Sequence, residues 1–272
     1  MSEFSVRVDI VHTETKLGDT LCVLPLIMQM ADEYAMAIHV AGAFAEPAKA
    51  LLSRLPIRFA ACNHSSAVNV RVDIQAAYNQ GRGLNQHMAA SICRLAGWPL
   101  PMLPITIDLS SAPARLPSGI VISPFSGSRN PWYKAWPLDR WLMVVRHFAA
   151  SQGEPIYVVA ASGENAVPFI HAGAIPLVGL GLPEVLDVMR QATLFASIDN
   201  GLSHLAHFGN VKRHLLLYPE LLPPNLVMNP RAHVLRGRPE HIQAETVIAH
   251  IDTLLRTETG LMDRNMQPAC SP

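Results

Sequence analysis

Short apolar strands alternate with helical segments twice along this chain, in two runs held apart by a proline-dense stretch. In the first run Val6–Val11 reads as a strand, and Leu21–Glu33 as an apolar helix entered at Asp19 or Thr20. Ala35–Ala41 is a second strand, Glu46–Arg54 a helix and Ile57–Ala61 a third strand. This alternation, with strands too apolar to be wetted on one face, implies parallel sheets covered by helices. Asn63–Arg82 shows no clear period, and a helical pattern returns at Gln86–Ala96. Pro99, Pro101, Pro104, Pro113 and Pro117 then interrupt regular structure and place a domain junction between Gly97 and Gly119.

Beyond the junction the alternation restarts. Gly119–Ser123 is a strand, Leu138–Ala150 a helix, Ile156–Ala160 a strand and Pro183–Gln191 a helix. Leu194–Ile198 is a strand, Ser203–Phe208 a short helix, His214–Leu217 a strand and Pro239–Leu255 a closing helix. The expected organisation is an N-terminal domain over residues 1–112, a C-terminal domain over 113–258, and a loose tail over 259–272. Two α/β domains in tandem place a ligand in the cleft between them, at the carboxyl ends of the strands.

Composition narrows what that ligand can be. Across 272 residues, 21 Lys and Arg balance 21 Asp and Glu, so the chain lacks the broad basic field of a nucleic-acid binder. Only 15% of residues are charged, and 50% are hydrophobic. The longest apolar stretch, Leu21–Met30, holds Pro25 and Gln29 and falls well short of the ~18–20 residues of a spanning helix. No secretory signal is read at the N-terminus. Cys22, Cys62, Cys93 and Cys270 form no CxxC pair, so no metal site is expected and the thiols fit a reducing cytoplasm.

Four segments placed directly after predicted strands carry chemistry. In Lys16-Leu17-Gly18-Asp19-Thr20 a glycine permits a tight turn and Asp19 either faces the cleft or caps the helix. In the loop from Ser123 to Pro137, Ser126, Gly127 and Ser128 offer small donors suited to phosphate oxygens, and Lys134 adds a point charge. In Ala161-Ser162-Gly163-Glu164 the carboxylate can accept ribose hydroxyls or favour a helix start. In Ser197-Ile198-Asp199-Asn200-Gly201-Leu202-Ser203-His204 a strand ends in a polar turn. The helix it opens points free N–H groups forward, a ready anion site with His204 about one turn in.

Together, in this order, the segments resemble the lipopolysaccharide heptosyltransferases of glycosyltransferase family 9. The resemblance rests on Gly18-Asp19 followed by Pro25, on Lys134-Ala135-Trp136-Pro137, on Gly163-Glu164, and on Asp199-Asn200-Gly201 with His204-Leu205-Ala206. It implies an α/β fold of the GT-B type, two Rossmann-like domains with parallel sheets facing a central cleft. It implies an inverting, metal-independent transfer of a heptose or related sugar from an ADP-sugar to a hydroxyl acceptor, with no cofactor. Asp19 would be the general base. Lys134, Ser126, Ser128 and the N–H groups from Asn200 through Gly201 to Leu202 would stabilise the departing diphosphate. Glu164 would hold the ribose and Leu180 the adenine, and Asp199 and His204 would belong to the same nucleotide-sugar site. The acceptor would be a glycan, a lipid-linked sugar or a protein hydroxyl. The chain would be cytoplasmic, and a lipid-linked acceptor would bring it against the inner membrane. Another nucleotide sugar, or a nucleotide-binding homologue without activity, are the alternatives. The chain departs from the family pattern in three ways: it is short between Ala61 and Pro117, Asn200 stands for a Ser or Thr, and Tyr218-Pro219-Glu220 stands for a Gly-Pro-Thr run.

Overall fold

The structure, a computed structural model, describes residues 5–11, 17–34, 37–41, 68–84, 87–99, 118–127, 131–151, 153–222 and 232–264. In the N-terminal half, β1 (Ser5–Val11) is followed by helix α1 (Leu17–Tyr34) and β2 (Ala37–Ala41). Then come β3 (Val68–Asp73), α2 (Ile74–Leu84) and α3 (Met88–Leu95). β1 lies between β2 and β3, paired in parallel with both.

α1 is the strut of the molecule. Leu21 to Ile27 are buried without a break, because α1 packs on α3 and also on α7, a helix of the C-terminal half described below. It begins at Leu17, earlier than the sequence suggested, so Gly18 and Asp19 lie in its first turn rather than in a preceding loop. An acid in a first turn is favoured by the helix dipole.

The C-terminal half begins with β4 (Ile120–Ser123), a 3₁₀ turn (Pro131–Tyr133), α4 (Leu138–Ala150) and β5 (Ile156–Ala160). It continues with α5 (Gly163–His171), β6 (Ile175–Val178), α6 (Leu182–Gln191) and β7 (Leu194–Ile198). α7 (Gly201–Phe208), β8 (His214–Pro219), β9 (His233–Gly237) and α8 (Ala244–Arg264) complete it. The six strands form one parallel sheet in the order β6-β5-β4-β7-β8-β9. This is the doubly wound order, with its topological switch between β4 and β7. The central strands β4, β7 and β8 are buried on both faces, as parallel strands under helices must be. α4 buries Trp141, Val144, Val145 and Phe148, one stripe at helical spacing.

Several expectations shift in the structure. Val68–Asp73 and Ile74–Leu84, in the stretch with no clear period, are β3 and α2. α5, β6 and β9 were not expected either. β6 and β9 are the sheet's edges, largely exposed, and β6 carries Pro176, which an edge strand accommodates. α8 starts at Ala244, after a turn at Arg238–His241, and runs to Arg264, so Thr259–Arg264 is helix and not tail. No proline interrupts it before Pro268, and an established helix propagates readily. The expected helix Glu46–Arg54, the strand Ile57–Ala61 and most of the proline-dense junction lie outside the described residues.

Candidate active site

Parallel strands all deliver their carboxyl ends to one side, and the helices that follow begin there. The first turns of six helices, α1, α2, α3, α5, α6 and α7, border a single cavity of about 690 Å³. Its walls come from both halves of the chain.

The two halves meet through paired glycines. A Cβ on Gly18 would lie 2.7 Å from Cδ2 of His204, and one on Gly201 would lie 2.9 Å from Cβ of Leu17. Only residues without side chains let the start of α1 approach the start of α7 this closely.

At the switch point the loops after β4 and β7 are tied together by Asn200. Its Oδ1 accepts from the Ser203 N–H at 3.0 Å and caps α7, while Ser203 Oγ takes the Asn200 N–H at 3.3 Å. Its Nδ2 donates to Ser123 Oγ at 2.9 Å and to the Phe125 carbonyl at 3.0 Å. A hydroxyl has a single donor and a shorter reach, so Asn at this place secures the neighbouring loop as well as the helix. Its polar atoms are thus engaged within the protein. The N–H groups of Gly201 and Leu202, in the first turn, have no acceptor inside the helix.

Lys134 follows the 3₁₀ turn. Its Nζ is 3.3 Å from Oδ2 of Asp199 and 5.8 Å from the centre of the Tyr133 ring; both charged side chains are mostly buried. Two residues on, Trp136 turns the other way into the core, donating to the Ile242 carbonyl at 2.9 Å and meeting Trp141 edge-to-face. The Lys-x-Trp-Pro run therefore divides its labour: the lysine serves the cavity and the tryptophan anchors the loop that carries it.

Of the residues singled out from sequence, Asp19, Ser126, Lys134, Leu180, Asp199, Asn200, Gly201, Leu202 and His204 all line this cavity. Ser128 lies outside the described residues. Glu164 is exposed in the first turn of α5, and it is the next residue, Asn165, that lines the cavity. Sequence reading did not pick out Ile74, Gln75 and Tyr78 of α2, His87 and Met88 of α3, or Phe125, Tyr133 and Leu222. The signal for the α2 group was present: the Val68–Val72 alternation marks a strand, and the turn after a strand is where the other candidates were found.

Burial disfavours the charged form of two histidines, His204 and His214. Burial holds His204 below its ordinary value, and the Asp199 and Asp19 carboxylates only partly oppose that. Behind it, His214 is pushed down to about 3 by burial and by His204, with its Nε2 2.8 Å from Ser197 Oγ. Burial, with Asp19 and Asp199 nearby, raises the Cys22 thiol, so this cysteine of the cavity wall stays protonated and is a poor nucleophile. Among the described residues, no cluster of three or more His, Cys, Asp or Glu is placed to hold a metal ion.

This is the architecture of the GT-B glycosyltransferases: two parallel α/β sheets whose carboxyl ends face one cleft. Solved structures narrow the likeness. The dodecameric iron-containing heptosyltransferase TibC, in complex with ADP-D-β-D-heptose, superposes with a TM-score of 0.71 at 17% identity, over 94% of this chain and 77% of that one. The glycosyl transferase family 9 structure from Veillonella parvula gives 0.63 at 14% identity, over 94% and 98%. Heptosyltransferase WaaC of E. coli with ADP-2-deoxy-2-fluoro heptose gives 0.62 at 14% identity, over 91% and 99%. No protein-family model and no curated protein matches the chain by sequence. The fold expected from the four motifs is thus the fold observed.

Proposed function

We propose that the chain is an inverting glycosyltransferase that moves a heptose or related sugar from an ADP-sugar to a hydroxyl acceptor. The observation that carries this reading is the convergence of Asp19, Lys134 and the first turn of α7 on one cavity at the switch point. The fold, shared with structures that hold ADP-heptose or an analogue, supports it.

In this reading the diphosphate lies against Lys134 and the Gly201 and Leu202 N–H groups, where developing negative charge meets fixed donors. The base rests on the apolar wall that includes Leu180, Leu182 and Val185. Asp19 accepts the proton of the acceptor hydroxyl. The oxygen forms its bond to the anomeric carbon as the carbon–phosphate oxygen bond breaks, and the electron pair leaves with ADP. Lys134 and the N–H groups supply the positive potential this departure needs, so the proposal invokes no metal.

Thermal denaturation with ADP, UDP and GDP tests the donor class, since a ligand bound only by the folded state raises its apparent stability. Stabilisation by ADP above the other two, together with ADP release from ADP-heptose, is the expected result. Equal or absent stabilisation by all three would remove the reading.

A further inference from the structure

We infer that Asp199 is a positioning residue for Lys134 rather than a contact of the diphosphate, an assignment that rests on the nucleotide-sugar reading above. A second anion beside a carboxylate repels it, so Asp199 is ill suited to touch a diphosphate. What it does touch is Lys134, at 3.3 Å, with both side chains only about one-eighth exposed (12% and 14%).

A lysine is a point charge on a stem of four rotatable bonds, and fixing it costs rotamer entropy. Here that freedom is already reduced. One face of the ammonium meets the Asp199 carboxylate and another faces the Tyr133 ring. An ammonium has three N–H donors, so with one on Asp199 and one side turned to the Tyr133 ring it still has a donor for a phosphate oxygen. Asp199 is itself held at the end of β7, immediately before the Asn200 cap that joins the β4 and β7 loops. The carboxylate thus transmits the geometry of the sheet to a side chain on a loop.

The sign of one substitution separates this role from mere proximity. If Asp199 were only a nearby negative charge, Asp199→Asn would tighten ADP binding. A positioning role predicts the opposite: about a 5- to 10-fold loss of ADP affinity, with adenosine affinity changed less than about 2-fold, because adenosine has no phosphate for Lys134 to meet. In a Lys134→Ala background the same substitution should no longer weaken ADP binding and should tighten it instead, since no lysine remains to be positioned and the stranded carboxylate is removed. Asp199→Glu keeps the charge but displaces it by a methylene. It should show a smaller loss, again for ADP alone, and serves if the Asn variant fails to fold.

Calorimetry with ADP and adenosine reads each affinity. Unchanged or tighter ADP binding in Asp199→Asn, an equal loss for adenosine, or an equal loss without Lys134 would each overturn the assignment. Failure of the unaltered protein to bind ADP would instead remove the nucleotide reading, and this assignment with it.

Discussion

Gly18 packs directly beneath the imidazole of His204, so that a methyl group on the glycine would sit 2.7 Å from ring carbon Cδ2. The contact joins the first turns of α1 and α7, one from each half of the chain, at the rim of the proposed site. Gly18→Ala should therefore cost about 1–3 kcal/mol, as overpacking does. Trimming the obstacle should repair it: Gly18→Ala with His204→Ala should be less destabilised than the sum of the two single changes. Thermal melts of the four proteins close the cycle, and simple additivity would show that the two residues do not meet.

Asp19 is expected to matter for transfer and little for donor binding. Asp19→Asn keeps the size of the side chain and removes the base, so turnover of ADP-heptose should fall by at least about 100-fold. ADP affinity should hold within a few-fold, measured by calorimetry on the same preparation. Turnover near that of the unaltered protein would exclude Asp19 as the base.

Lys134→Ala removes a charge-assisted contact and strands Asp199 beside the bound diphosphate. A loss of about 1.5–3 kcal/mol corresponds to roughly 10- to 150-fold weaker ADP binding. Adenosine should bind almost as before, because it lacks the groups that Lys134 meets. Undiminished ADP affinity would place the phosphates elsewhere.

His214 predicts a pH dependence of stability. Its folded value, about 3, lies below the ordinary histidine range, so the unfolded chain takes up a proton that the folded protein refuses. Stability from this group is complete above about pH 7 and declines as pH falls through the unfolded value near 6.5 toward 3, at up to about 1.4 kcal/mol per pH unit. His204, also held down by burial, adds to the slope in the same direction. Urea melts between pH 7.5 and 4.5 should show the decline, and His214→Asn should flatten it. A pH-independent midpoint in the unaltered protein would count against a buried neutral imidazole.

Glu164 supplies a contrast. It is exposed at the start of α5 and does not line the cavity, so Glu164→Ala should change ADP affinity by less than about 2-fold. A large loss, read by the same calorimetry, would mean that α5 moves when nucleotide binds.

The parts legible in the sequence were those whose signal is local. Ile156–Ala160 and Leu194–Ile198 are largely apolar runs, and they occur as read. α4 is a clear amphipathic period introduced by Trp136-Pro137, and its bounds are also as read. The edge strands were not legible: half-exposed His233–Gly237 has no apolar pattern, because only the neighbouring β8 makes it a strand. In the site, motif order located Asp19, Lys134 and Asp199 but not their relations. That Asp199 pairs with Lys134, 65 residues away, and that Asn200 knits two loops depends on the register that sets Ser123 beside Ser197. The Glu164 and Asn165 choice was equally hidden, since adjacent residues on a helix point about 100° apart and sequence alone does not fix the helix rotation.

The six first turns around the cavity give a chain of zero formal charge an internal polarity that composition does not record. Each helix contributes roughly half a positive charge at its start, fixed in the backbone. Mobile salt screens charges on an open surface more fully than charges set in a partly buried cleft. The cavity should keep its attraction for a small dianion at ionic strengths that would strip a polyanion from a basic surface.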